Sequence, residues 1–274
     1  MLTSLQNSLV KHIRKLHQAK GRRAYGQFLL EGTHLVQEAW QASYPLEVVC
    51  CTPAWEGRYP ELQQALVGYA ARFEVVSPEV LAAIATTVHP DGVVAVAPHR
   101  TPLAAAATPS LGIAAETLQD PGNLGTLIRS ASAVAADGLW LSADSVDPDH
   151  PKVLRASAGQ WFRCPTTVSP DLAAQVSQWR QAGIQVLGTS AQADVDYWAV
   201  DFHPPTVILL GNEGGGLSPA LLEQVSQQVK IPLSPAVESL NVAIAGTLLL
   251  YEALRQRTLA GAAAYKHDRD GGER

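Results

Sequence analysis

Ile208-Leu209-Leu210-Gly211-Asn212-Glu213-Gly214-Gly215-Gly216-Leu217-Ser218 is the stretch on which the reading of this chain turns. It opens as an unbroken apolar run, the signature of a strand buried on both faces, as in a parallel sheet covered by helices. It ends in three consecutive glycines, which allow positive φ and let another backbone or a ligand come close. It lacks the Gly-Lys-Ser/Thr of a phosphate-binding loop and the spacing of a dinucleotide fingerprint. It also lies near the end of the chain, whereas nucleotide-dependent α/β enzymes place such a loop after their first strand. By itself it reads equally as a glycine-rich turn.

The sequence around it alternates strand and helix. Strands are expected at 111–116, 138–141, 162–167, 185–189, 207–210 and 229–232. Helices are expected at 126–136, 151–158, 171–182 and 218–226, with a long one over 241–257. Strands separated by helices make an α/β unit with a mostly parallel sheet. Upstream, 24–97 alternates in the same way and forms a small α/β unit. Its expected strands are 28–30, 46–51, 73–76 and 92–97. Thr33 and Ser77 are read as helix caps, with Pro78 suiting a first helical position. Pro, Thr and Ala without hydrophobic periodicity mark 98–110 as a linker. The expected organisation is 1–97, a basic helix and substrate domain; 98–110, the linker; 111–260, the main domain; and 261–274, a disordered tail.

Two further segments carry polar residues at element boundaries. Asp120-Pro121-Gly122-Asn123-Leu124-Gly125-Thr126-Leu127-Ile128-Arg129 follows an apolar strand and opens a helix. Free N–H groups there favour anions, and Arg129 adds a rigid cationic fork two turns in. Glu238-Ser239-Leu240-Asn241-Val242-Ala243 precedes the long apolar helix, and its polar pair also reads as a cap.

Together the three segments resemble the SpoU (TrmH-type) branch of the SPOUT RNA methyltransferases. The matching residues are Asn123-x-Gly125-x-x-x-Arg129, Gly211-Asn212-Glu213-Gly214 and Ser239-Leu240-Asn241-Val242, with Leu154-Arg155-Ala156-Ser157-Ala158-Gly159 between them. The resemblance covers about 111–257. It extends more loosely over 24–97 through Phe28-Leu29-Leu30-Glu31-Gly32 and His89-Pro90-Asp91-Gly92-Val93, which resemble the family's RNA-binding domain. Ala243 replaces a serine often found after the third motif, and 137–150 says little.

The resemblance implies a trefoil-knotted methyltransferase domain and transfer of a methyl group from S-adenosylmethionine to a ribose 2'-hydroxyl of RNA. Ribosomal RNA is favoured over transfer RNA, and a non-catalytic RNA-binding protein is the alternative from another class. It implies Gly211, Asn212, Ile231 and Leu240 as cofactor-binding residues. Arg129, Asn123, Asn241, Glu213 and Ser239 would form the catalytic set, and the assembly would be a homodimer.

The net charge of −5 does not announce a nucleic-acid binder, but no acidic residue precedes Glu31. Residues 3–20 read as an amphipathic basic helix ended by Gly21. Lys11, Arg14, Arg22 and Arg23, with Arg155 from the later motif, are the expected RNA contacts. The three cysteines, Cys50, Cys51 and Cys164, form no C-x-x-C and suit a reducing, cytoplasmic setting. No metal-ligand spacing is present, no apolar run is long enough for a membrane span, and neither is expected.

Overall fold

The computed structural model describes residues 1–99 and 105–270, with side chains described only as far as 258. The chain forms two compact units that do not follow its order: Met1–Pro102 with Asp147–Arg163, and Leu103–Val146 with Cys164–Arg274. The segment 147–163, read from the sequence as part of the C-terminal domain, thus belongs to the first unit. Part of the expected linker, 100–104, lies outside the described residues.

The first unit holds a four-stranded sheet made of β1 (Gln27–Glu31), β2 (Val48–Cys51), β3 (Phe73–Val75) and β4 (Val93–Pro98), in the order β1-β4-β2-β3. β4 runs antiparallel to both β1 and β2, while β2 and β3 are parallel. Leu9, Val10, Ile13 and Leu16 pack with Leu29, Cys50, Val94 and Val96 to form a core on this sheet. Cys50 and Cys51 are buried and free, and burial pushes both thiols up to about 12.

The basic arm is not one helix. It consists of Ser8–Lys15 and Ala19–Tyr25, with Gln18 extended between them. Gly21 lies inside the second helix, not at a break. A Cβ there would come within 1.8 Å of the Lys15 carbonyl oxygen, so glycine lets the two helices touch. Thr33 does not cap its helix: Gly32 occupies the cap position at φ 96°, and Asp91 Oδ2 accepts from Thr33 N at 2.7 Å. Ser77 does cap, accepting from Val80 N.

The second unit is built on β5 (Leu111–Ala115), β6 (Gly138–Ser142), β7 (Thr166–Ser169), β8 (Gln185–Thr189), β9 (Val195–Asp196), β10 (Thr206–Leu210) and β11 (Gln227–Lys230). The sheet order is β7-β6-β5-β10-β8-β11-β9, and every pairing is parallel. β5 and β10, at the centre, are buried along their whole length. The chain moves outward from β5 through β6 to β7, then crosses to the other half. There β10 enters between β5 and β8, and β11 between β8 and β9. The reversal places the carboxyl ends of β5, β8, β10 and β11 around one crevice, where open α/β sheets bind ligands.

Several boundaries differ from expectation for local reasons. The helix expected at 126 starts at Pro121, because Asp120 Oδ1 accepts from Gly122 N and Asn123 N and proline fits the first helical position. The strand expected at 162–167 is Thr166–Ser169. Trp161 and Phe162 turn instead into the first unit's aromatic cluster, 5.1 Å from Phe28 and 5.2 Å from Tyr44 respectively, by ring centroids. The helix expected at 218–226 shortens to Pro219–Leu222. The last helix runs Val242–Asp270, past both the end expected at 257 and the start of the expected disordered tail at 261; residues 271–274 lie outside the described residues.

Candidate active site

Gly211 closes β10 and fixes the shape of the site. A Cβ on it would lie 2.0 Å from Gly216 C and 2.1 Å from Leu217 N, so the two ends of the glycine loop touch through bare backbone. Asn212 and Gly216 exchange backbone hydrogen bonds of 2.9 and 3.0 Å. The Asn212 side chain then works in both directions. Its Oδ1 accepts from Gly214 N and Gly215 N, at 2.8 and 3.1 Å, and its Nδ2 donates to the Thr117 carbonyl at 2.8 Å. The loop is therefore tied inwardly and to the turn after β5.

Glu213 reaches from this loop to the start of the helix Pro121–Ala133. Its carboxylate accepts from Gln119 N at 3.2 Å, Asp120 N at 3.0 Å and Asn123 Nδ2 at 3.0 Å. Burial works to raise the Glu213 carboxyl, but these donors outweigh it and hold it below the ordinary value. Asn123 uses its other amide atom as acceptor for Asn241 Nδ2 at 2.8 Å. Asn241 Oδ1 in turn accepts from Ala243 N and Ile244 N, capping the last helix. One polar chain, Glu213–Asn123–Asn241, thus joins all three polar segments. Below it the two helices pack closely: a Cβ on Gly246 would meet Leu127 Cδ2 at 2.7 Å, and the Ser130 and Thr247 hydroxyls lie 2.7 Å apart.

These loops wall a cavity of about 390 Å³. It is lined by 211–217, by Thr189 at the end of β8 and on to Gln192, by Lys230 at the end of β11 with Ile231 and Leu233, and by Glu238, Ser239 and Leu240. Its size falls in the ordinary range of small-molecule sites. Backbone at Gly211 and Gly214–Gly216 faces it with no side chain intervening, which suits a ligand read by main-chain groups.

All four expected cofactor residues, Gly211, Asn212, Ile231 and Leu240, line this cavity, as do Glu213 and Ser239. Asn123 and Asn241 join through the polar chain. Arg129 does not line the cavity. It stands exposed on the helix Pro121–Ala133, and no hydrogen bond or ion pair of its own is found among the described residues. The sequence reading missed Thr189, Ser190 and Lys230; the sequence signal that points to them is the end of each strand at a crossover.

The expected RNA contacts divide. Lys11, Arg14 and Arg23 are exposed. Arg22 is a correction: it is 2% exposed, Nη2 donates to Asp147 Oδ2 at 2.5 Å, and Nη1 donates to the Leu16 and His17 carbonyls. It pins the segment 147–163 within its unit and cannot reach a phosphate. Arg155 is similarly engaged, donating to Glu31 Oε2 at 3.1 Å and Thr86 Oγ1 at 2.8 Å.

Comparison with known proteins agrees with this geometry. Residues 110–251 match the SpoU rRNA Methylase family, and residues 7–95 match the MRM3-like substrate binding domain. An uncharacterized tRNA/rRNA methyltransferase of Synechocystis is 46% identical, over 94% of this chain and 95% of its own length. The 23S rRNA (guanosine(2553)-2'-O)-methyltransferase RlmP of Bacillus subtilis is 33% identical, over 91% of this chain and 97% of its own. The crystal structure of an AdoMet-bound rRNA methyltransferase from Sinorhizobium meliloti superimposes with a TM-score of 0.80 at 30% identity, covering 93% of this chain and 97% of that one. The parallel sheet, the cavity at its carboxyl edge and the match over 110–251 lead to one assignment: the chain belongs to the SpoU rRNA methylase family.

Proposed function

We propose that this protein transfers the methyl group of S-adenosylmethionine to a ribose 2'-hydroxyl of ribosomal RNA. The observation that carries the reading is the backbone-walled cavity, joined by Glu213, Asn123 and Asn241 to the helix that bears an uncommitted arginine. S-adenosylmethionine, when bound, supplies an electrophilic methyl on a sulfonium.

The protein's own part is alignment and control of charge. Gly211, Asn212, Ile231 and Leu240 hold the cofactor, largely through main-chain groups. Glu213 keeps the glycine loop registered on the helix Pro121–Ala133, and Asn241 registers the last helix on the same point. Ser239 offers a hydroxyl at the cavity wall. Arg129 positions the attacking ribose oxygen and a neighbouring phosphate and stabilises the charge that develops; it is not a literal base, because guanidinium stays protonated. Two of the relatives carry names of the same chemistry on ribosomal RNA, which supports that substrate over transfer RNA.

Lys11, Arg14 and Arg23 are the phosphate contacts in this reading, and Arg22 and Arg155 hold their own unit together. The insertion of β10 between β5 and β8, with Gly211 pressed against Gly216 and Leu217, supports the trefoil knot. Ile244, Leu248 and Tyr251 stand exposed at helical spacing on the last helix and support a homodimer formed through that face. No helix of the described residues is long and apolar enough to cross a membrane, and the buried free cysteines suit a reducing cytoplasm. Incubating the purified protein with methyl-labelled cofactor and unmodified ribosomal or transfer RNA tests the reading. Label in ribosomal RNA as a 2'-O-methyl nucleoside is the expected result; label in transfer RNA alone, or on a base, contradicts it.

A further inference from the structure

Thr117, two residues beyond β5, has φ +51°, a left-handed conformation unusual for a β-branched residue. It is held there by the segment 142–145, which begins on the last residue of β6. Thr117 Oγ1 donates to Asp144 Oδ2 at 2.8 Å, and Thr117 N donates to Ser142 Oγ at 2.7 Å. Ser142 Oγ donates in turn to Asp144 Oδ1 at 2.5 Å, while Leu118 N donates to Ser145 Oγ at 3.1 Å. Thr117 and Ser142 each give their one hydroxyl proton to this carboxylate, and Ser145 Oγ, 3.0 Å from Ser142 Oγ, is left to donate there. Asp144 is therefore the acceptor on which the arrangement ends. These hydroxyls hold the Asp144 carboxyl below its ordinary range, so it is ionised at neutral pH.

What the arrangement orients is the Thr117 carbonyl, which accepts from Asn212 Nδ2. Asn212 in turn folds the loop by accepting from Gly214 N and Gly215 N. Asp144 is not among the residues that line the cavity.

We propose that Asp144 is a positioning residue for cofactor binding, holding Thr117 in its left-handed conformation so that Asn212 shapes the glycine loop over the cavity. The inference rests on the methyltransferase reading above. Without Asp144, Thr117 relaxes toward negative φ, its carbonyl turns from Asn212, and Gly214 and Gly215 lose their fixed acceptor. Glycine at 117 needs no such restraint, because it takes positive φ freely.

The test is calorimetric binding of S-adenosylmethionine and of its demethylated product, S-adenosylhomocysteine, with melting temperature recorded for each variant. Asp144→Ala is expected to bind about fivefold or more weakly, the loss of hydrogen bonds to a charged acceptor. Adding Thr117→Gly to it is expected to restore affinity to within about twofold of wild type, a rescue that general destabilisation would not give. Should Asp144→Ala fail to fold, Asp144→Asn, which keeps one acceptor, takes its place in the same two arms. Wild-type affinity in the single variant overturns the proposal, and so does a double variant no better than the single. Wild-type protein that binds neither compound overturns the methyltransferase reading itself.

Discussion

Gly211→Ala is the sharpest perturbation at the candidate site. The added methyl would sit 2.0 Å from Gly216 C, 2.1 Å from Leu217 N and 2.4 Å from Gly216 O. All three are backbone atoms, so no rotamer change relieves the clash. Ordinary contact begins at 3.4 Å, so the two ends of the loop must part by at least 1.4 Å, the difference between 3.4 and 2.0 Å. A displacement of that size removes the 2.9 and 3.0 Å hydrogen bonds between Asn212 and Gly216. Overpacking of this kind costs about 1–3 kcal/mol, and the two lost hydrogen bonds add about 1 kcal/mol each. The sum, roughly 3–5 kcal/mol, corresponds to a fall in melting temperature on the order of 10 °C for a chain of this size.

Gly214→Ala is the matched control. It lies in the same loop, the atom nearest its added methyl would be Asn212 Oδ1 at 3.6 Å, and it carries no positive φ. Its stability should stay within about 0.5 kcal/mol of wild type. Thermal unfolding of the two variants, read beside cofactor binding by calorimetry, makes the comparison. If Gly211→Ala melts with wild type and binds the cofactor normally, the close approach of the loop ends is not a feature of the folded protein.

Arg129→Ala should abolish methyl transfer while leaving melting temperature and cofactor affinity near wild type, because the side chain makes no hydrogen bond or ion pair among the described residues; retained turnover would reassign the arginine. Glu31 is buried, and burial acts to raise its carboxyl, but Thr86 and Thr87 donate to it through backbone and hydroxyl and hold it below its ordinary 4.5. Its contribution is therefore full above that value and lost as pH falls through the lower folded one. Glu31→Gln should cost about 2 kcal/mol at pH 7 and flatten the acid limb of the stability curve, read by denaturant titration at a series of pH values. Arg22→Ala should destabilise by about 3 kcal/mol through the unpaired Asp147, whereas Arg14→Ala with Arg23→Ala should leave stability alone, weaken RNA binding and shallow its salt dependence by about two. Filter binding at several salt concentrations separates the pair, and an unchanged slope would remove the arm from the interface.

Much of the second unit was legible because its strands carry their own signal. β5 is apolar throughout and β10 is apolar beyond its buried Thr206, since helices cover both faces, and two of the three polar segments fall just after those strands. Gly211, Asn212, Ile231 and Leu240 were named through the resemblance of the motifs to the SpoU family; the residues themselves say only that glycine and asparagine after a strand answer local backbone demands. Tertiary contacts were not readable. Nothing in the spacing of Arg22 tells that Asp147, far along the chain, neutralises it, so a buried arginine passed for a surface one. Trp161 and Phe162 have strand propensity, but the aromatic partners Phe28 and Tyr44 outweigh it. The segment 137–150 carried little signal because Ser142, Asp144 and Ser145 act on backbone and hydroxyl groups 25 or more residues away, and such hydrogen bonds leave no periodic trace.

Methyl transfer to ribosomal RNA through Arg129 is measured most directly by a map of ribose methylation in ribosomal RNA from cells with and without this gene, repeated after rescue with wild type and with Arg129→Ala. The expected result is a 2'-O-methyl nucleotide that disappears with the gene, returns with wild type and does not return with the variant. An unchanged map, or a site restored equally by Arg129→Ala, would contradict it.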